Sequence, residues 1–588
     1  MRRAVFAVVA VGLLTSATPP PQRLSRAPIV LPPATSPVRC RAGESNRPTF
    51  RSAPVVVTGA RANQVPQAEM AYAPPPPPPP PPLVAPAARG IVAQSAPKSF
   101  RAGGATPPYG SRWNTERYDG RAVAAIQDTS AAPVSTFSVD VDTGAYANVR
   151  RFLNRGAPVP AEAVRTEEMI NYFRYHYPRP ASTAEPFSIT TDVARTPWNP
   201  NTRLLRIGLR AYDVQTATRP RANLVFLVDT SGSMQPEDRL PLVKRALEGL
   251  ADQLRPDDRV SIVAYAGSAG IVLEPTANRN YVKAALACLD AGGSTAGGAG
   301  IELAYATARA AFVPGGVNRI FLATDGDFNV GISDKGALEA LVKRNRDDGI
   351  TLTTLGFGQG NLNDAMMERI ADVGNGNYSY IDSASEARKV LEEELSATMV
   401  TVAKDVKVQV EFNPAQVTQY RLIGYENRAL AEEDFTNDGV DAGDMGAGHQ
   451  VTALYEVAPA GGFAWTPTRR YPGNRPPAVV QRGAELAFVK LRYKLPYGDT
   501  SSELSRPVPA AMMTSARAPQ GDMAFATAVA AFGQKLRGDK YLGSYGYADI
   551  RALAGDPRGL WRQQFVELTH LADRGGGAAA GGARSGVR

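Results

Sequence analysis

From Asn223 onward, segments that are apolar at nearly every position alternate with segments that are apolar only every third or fourth residue. LVFLV (224–228), RVSIVAY (259–265), NRIFLAT (318–324) and ITLTTLGFG (350–358) are of the first kind. LPLVKRALEGLADQL (240–254), GIELAYATARAAF (300–312) and ALEALVKRNRDDG (337–349) are of the second, and SEARKVLEEELSATM (385–399) closes the series. Strands that are apolar on both faces, alternating with amphipathic helices, predict an α/β domain with a doubly wound, mostly parallel sheet over 220–400.

On either side the period changes. Upstream, 137–141 alternates and runs into a helix carrying Tyr146, Val149 and Phe152 on one side, with a second helix near 167–173. Strands are expected at 187–193 and 204–212. Downstream, DVKVQVEF, QYRLIGYE, HQVTALYEV and ELAFVKLRYKL alternate as strands of a β-rich, sandwich-like module do. Two C-terminal helices follow; in the first, Phe525, Val529, Phe532 and Leu536 share a face. The pattern divides the chain into an N-terminal module (131–219), the α/β domain (220–400), a C-terminal module (401–575) and a Gly/Ala-rich tail (576–588).

The first 130 residues are different in kind. Arg2 and Arg3, an apolar stretch over 4–14 and small residues at 15–17 have the layout of a signal peptide over 1–18. Residues 19–130, rich in Pro, Ala, Arg and Ser, are expected to be a disordered tether. Nine consecutive prolines from Pro74 to Pro82 would form a polyproline II rod of roughly 28 Å. Export to the periplasm or cell envelope is the expectation. Of the two cysteines, Cys40 lies in the tether and Cys288 in an apolar helix pattern, so Cys288 is expected to be a small core residue rather than Cys40's disulfide partner.

A net charge of +9 raises the question of nucleic acid. Residues 1–130 hold 15 Lys and Arg against 5 Asp and Glu, so the remaining chain is nearly neutral. That distribution argues against a nucleic-acid partner and leaves contact of a basic tail with an anionic membrane surface.

The candidate chemistry lies where the apolar strands end. Asp229, Ser231 and Ser233 follow LVFLV in a D-x-S-x-S spacing; Thr295 sits in the glycine-rich AGGSTAGGAG; Asp325 directly follows NRIFLAT. In a doubly wound sheet these segments meet at one rim, the carboxyl edge of the strands. Two carboxylates and hydroxyls, with neither His nor Cys, suit a hard divalent cation: Mg²⁺ first, Mn²⁺ or Ca²⁺ as alternatives.

These positions resemble the metal-ion-dependent adhesion site of von Willebrand factor A domains. The resemblance implies direct ligation by Ser231, Ser233 and Thr295, aspartates acting often through water, and a protein partner whose Asp or Glu completes the octahedron. STFSVDVDTGAYANVRRFL and VRTEEMINYF upstream, with LIGYENRAL, GAGHQVTALYEV and AFATAVAAFGQKLR downstream, resemble the flanking modules of bacterial YfbK-type proteins. The implied role is a non-enzymatic, metal-dependent adhesion or scaffold protein without a small-molecule substrate. An envelope assembly or chaperone-like factor is the alternative, and a hydrolase a minor one.

Other motifs are weaker. Asp142-Thr143-Gly144 matches an aspartic-protease tripeptide but leads straight into a helix. The three histidines lack ligand-spaced partners. The acidic loop NDGVDAGDMGAG (437–448) reads as solvated, with the sharper hypothesis that Asp438, Asp441 or Asp444 reaches the metal site as an internal cap.

Overall fold

The computed structural model describes Val38 and residues 115–139, 141–215, 218–293, 297–326, 335–394, 397, 399–466, 484–496 and 498–581. At its centre is a six-stranded sheet ordered Tyr378–Ile381, Thr351–Phe357, Val317–Thr324, Ala222–Asp229, Arg259–Tyr265, Ala269–Thr276. The first five are parallel; the last is an antiparallel edge. Every residue of Ala222–Asp229 is buried. Leu224, Phe226 and Val228 face one core, with the helices Leu240–Asp252 and Arg279–Ala287. Val225 and Leu227 face the other, with Gly297–Ala310 and Lys335–Asp347. Period-two side chains on a sheet covered on both faces give the continuous apolar runs seen in the sequence.

The flanks form a β-sandwich, and here the structure departs from a division into separate N- and C-terminal modules. One sheet runs Gln127–Asp128, Val417–Ile423, Gln450–Pro459, Arg203–Ala211, Phe187–Arg195. The other runs Ala429–Leu430, Val134–Ser138, Thr401–Phe412, Glu485–Lys494, Ser501–Pro509. Each sheet mixes strands from before and after the α/β domain: Val408 pairs with Phe137, and Tyr455 with Leu205. Their inner faces share one core, in which Phe412 stacks on Tyr420 at 4.3 Å. The α/β domain is therefore an insertion between two halves of one sandwich.

A helical lobe completes the molecule. Gly521–Arg537 is buried from Met523 through Gln534, packed among Gly144–Asn154, Thr166–Asn171 and Leu560–Gly581. Phe525, Val529 and Phe532 lie in that core, and Leu536 packs against it. No helix among the described residues is long and apolar enough to cross a membrane.

Two expectations about the N-terminal region change. Order begins before residue 131: Thr115 and Arg117 donate backbone hydrogen bonds to Gly360 and Leu362 (2.8 and 2.9 Å), and Gln127–Asp128 is already a strand. Cys288 is disulfide-bonded. The chain has one other cysteine, Cys40, which lies outside the described residues. Val38, two residues earlier, forms an antiparallel bridge to Leu273 on the edge strand and packs against the same core. A partner far away in sequence is what spacing could not reveal. The signal-peptide stretch, the proline run and the tail beyond residue 581 lie outside the described residues.

Candidate metal centre

Asp229 is the last residue of the central strand and is fully buried. Its Oδ1 accepts from the Ser231 amide (2.9 Å), and its Oδ2 accepts from the hydroxyls of Thr324 (3.0 Å) and Tyr265 (3.3 Å). Those bonds fix the carboxylate between two neighbouring strands. Burial, reinforced by the negative charge of Asp325, pushes its carboxyl up to about 6, against the opposing pull of the Ser231 hydrogen bonds.

The chain then turns sharply. Thr230 donates to the Tyr265 carbonyl (2.8 Å), and Gly232 to that of Gly293 (3.0 Å), while Gly292 donates back to Thr230 (2.8 Å). The loop leading to Thr295 is thus laced to the first loop through its backbone. The turn brings the hydroxyl oxygens of Ser231 and Ser233 to 3.0 Å of each other. Asp325, fully buried, follows the adjacent strand Val317–Thr324. Asp229, Ser231, Ser233 and Asp325 therefore gather at one rim; Thr295 lies outside the described residues.

Two residues not singled out from sequence complete the rim. Arg239 donates to Asp325 Oδ2, to the Ser233 carbonyl (2.6 Å), to Asn361 Oδ1 (2.9 Å) and to the Gln359 carbonyl. Asn361 Nδ2 also donates to Asp325 Oδ2 (3.0 Å). A signal for Arg239 was present. A guanidinium just before a helix start is placed against the helix dipole, which only nearby carboxylates offset. The Asn361 loop is in turn held by Glu116, whose Oε1 accepts from the Gly360 amide and from Arg151, both at 2.7 Å. Residues 115–117 thus brace the rim rather than belonging to a loose tether.

The donor set fits a hard divalent cation. Two carboxylates and two adjacent hydroxyls supply oxygen alone, and one guanidinium neutralises only one of the two negative charges. Among the described residues no group of three or more His, Cys, Asp and Glu is arranged to hold a metal, and the rim's candidacy rests on its mixed hydroxyls and carboxylates.

The acidic loop does not join it. Asp441 pairs with Arg346 (2.6 Å), at the end of the helix Lys335–Asp347, and Asp438 with Arg492 (3.0 Å) and the Ser501 hydroxyl (2.5 Å). Asp444 accepts from the Asp405 amide (3.3 Å). Arg346 precedes the strand Thr351–Phe357, so this loop meets the amino edge of the sheet, opposite the rim. The internal-cap hypothesis is corrected accordingly. Asp142 is likewise structural: it accepts from the Tyr378 amide (2.8 Å) and pairs with Arg428 (3.2 Å).

Comparison with known proteins follows this division of the chain. Residues 223–394 match the von Willebrand factor type A domain, 397–574 match "Uncharacterized protein YfbK, C-terminal", and 112–206 match a family described as von Willebrand factor. The chain is 47% identical over 493 residues to the uncharacterized protein YfbK of Escherichia coli, covering 82% of this chain and 85% of that one. It is 37% identical over 187 residues to the uncharacterized protein sll0103 of Synechocystis, covering 32% and 43%. Among solved structures, von Willebrand factor type A from Catenulispora acidiphila is 18% identical and covers 68% of this chain and 89% of that one, with a TM-score of 0.37.

Proposed function

The chain belongs to the YfbK family of von Willebrand factor A proteins, and from that premise we propose that it is an exported, non-enzymatic scaffold that binds a protein partner through a divalent cation at the Asp229 rim. One observation carries the reading: the Ser231 and Ser233 hydroxyls stand 3.0 Å apart beside two buried carboxylates at the carboxyl edge of the sheet. Ser231, Ser233 and Thr295 would hold the cation, Mg²⁺ by preference, with Asp229 and Asp325 behind them. Bound there, the cation would offer a coordination position to a partner's Asp or Glu. Asp229 is oriented by three hydrogen bonds and Asp325 by Arg239 and Asn361, so the chain's part is to keep the oxygens preorganised.

Export is supported by the basic and apolar start of the sequence and by the disulfide at Cys288, a bond that persists in oxidising compartments. The basic N-terminal region would add a peripheral contact with anionic membrane surface. The test is capture from envelope extracts by the full chain. Capture should require divalent cation, be lost with chelator, and be lost in Asp229→Ala. Capture that survives both treatments would refute the metal bridge.

A further inference from the structure

A cavity of about 510 Å³ lies where the α/β domain, the sandwich and the helical lobe meet. Asp213 and Val214 reach it on the link into the α/β domain, Glu394 and Ala397 on the link out of it. The last helix, Leu560–Gly581, begins beside it, and the run Arg558-Gly559-Leu560-Trp561-Arg562 lines it throughout. Tyr172, Phe173 and Trp561 make its aromatic walls, Trp561 standing edge-on to Tyr172 at 6.0 Å.

The acids on the lining are matched by cations. Glu394 pairs with Lys389 (3.0 Å) and Arg174 (3.6 Å), Asp213 with Arg210 (2.8 Å) and Arg179 (3.2 Å), and Glu393 with Arg388 (3.8 Å). The arginines are not matched in the same way. Arg558 is exposed and makes no ion pair or hydrogen bond among the described residues. Arg562 shares its carboxylate, Asp522 (2.8 Å), with His176, and donates to the Arg174 carbonyl (2.8 Å), which sets those two arginines side by side. Next to them Leu560 is 63% exposed, more than any other large apolar side chain among the described residues.

A soluble anion would meet the arginines and leave Leu560 in water. A bilayer surface meets both: its phosphates face guanidiniums, its acyl boundary takes the leucine, and an indole is at home between the two. We propose that this cavity is a docking site for the phosphate headgroup of an anionic membrane phospholipid. Arg558, Arg174 and Arg562 take the phosphate, and Leu560 enters the acyl boundary beside it. The site shares no residue with the metal rim and is separate from the basic N-terminal region.

The experiment is co-sedimentation of the full chain with phosphatidylcholine vesicles, with and without phosphatidylglycerol. Charge in residues 1–130 contributes equally to every variant, so the readout is the difference between wild type and variant. On vesicles containing phosphatidylglycerol, Arg558→Gln should bind about fivefold more weakly. Leu560→Ser should lose about tenfold and Leu560→Phe should retain wild-type binding. Brominated acyl chains should quench the tryptophan emission of the wild type more than that of Trp561→Phe. Unchanged binding by both Arg558→Gln and Leu560→Ser would overturn the site and leave the N-terminal region as the membrane contact. Equal wild-type binding to phosphatidylcholine alone would overturn the role of the arginines. Full displacement by glycerol phosphate, with Leu560→Ser binding as the wild type does, would make a free phosphate ester the ligand and overturn the membrane source. None of these results touches the metal-bridge reading.

Discussion

Carboxylates are concentrated at two ends of the central sheet, and the two ends treat them differently. At the amino edge, Asp441 pairs with Arg346 across the boundary between sandwich and α/β domain, and Asp438 pairs with Arg492 within the sandwich. At the carboxyl edge, among the described residues, hydroxyls and an amide hold Asp229, and Arg239 and Asn361 hold Asp325. In the acidic loop, Asp441 joins two parts of the molecule and Asp438 ties the loop to its own sandwich. Among the described residues the rim sets two carboxylates and two hydroxyls beside one guanidinium, an oxygen donor set that suits a cation. Acidic residue count alone would favour the loop; what the acids face decides between them.

The largest expected effect tests that contrast directly. Replacing both Ser231 and Ser233 by Ala should reduce Mg²⁺ affinity more than about 100-fold, beyond the effect of losing an outer partner. Asp438→Asn and Asp441→Asn should leave that affinity unchanged, as read by calorimetric titration. An equal loss in the loop variants would erase the distinction between the two ends.

Next comes the covalent tie on the rim side. Cys288→Ser should lower unfolding free energy by about 2–4 kcal/mol in denaturant titration, and a dithiol reductant should do the same to the wild type. No comparable bond secures the described part of the acidic loop.

A smaller effect at the amino edge depends on pH. Burial, with the nearby charge of Asp405, pushes the Asp444 carboxyl from its ordinary 3.8 up to about 7. The unfolded chain therefore releases this proton first, and the group's contribution to stability falls as pH rises from about 4 to about 7. Asparagine cannot ionise and can still accept from the Asp405 amide. Asp444→Asn should match the wild type near pH 4 and exceed it by about 1–2 kcal/mol near pH 8 in paired melts. The smallest effect belongs to Asp438, whose exposed pair with Arg492 should be worth no more than about 0.5 kcal/mol when Asp438→Asn is compared with the wild type.

The central sheet was legible because each strand and helix carries its own period, and parallel order follows from their alternation. The D-x-S-x-S triplet was legible because it interrupts an apolar run at the position where such sheets bind ligands. The sandwich was only half legible. Its strands announce themselves by alternation, but Val408 pairing with Phe137 joins segments separated by the entire α/β domain, and no local pattern encodes such a pairing. Arg239 stands before a helix start, which hints at a nearby carboxylate, but the partner, Asp325, is 86 positions away in the chain and could not be read from the local pattern. Cys288 was read as a packing residue for the same reason, its partner lying in sequence that offers no periodicity.

The claim that the rim is a cation site is tested most directly by titrating Mg²⁺ into the metal-stripped full chain and into Asp229→Ala, with heat as the readout. The account predicts one saturable site per wild-type chain and none in the variant. Equal binding by both proteins, or none by the wild type, would contradict it.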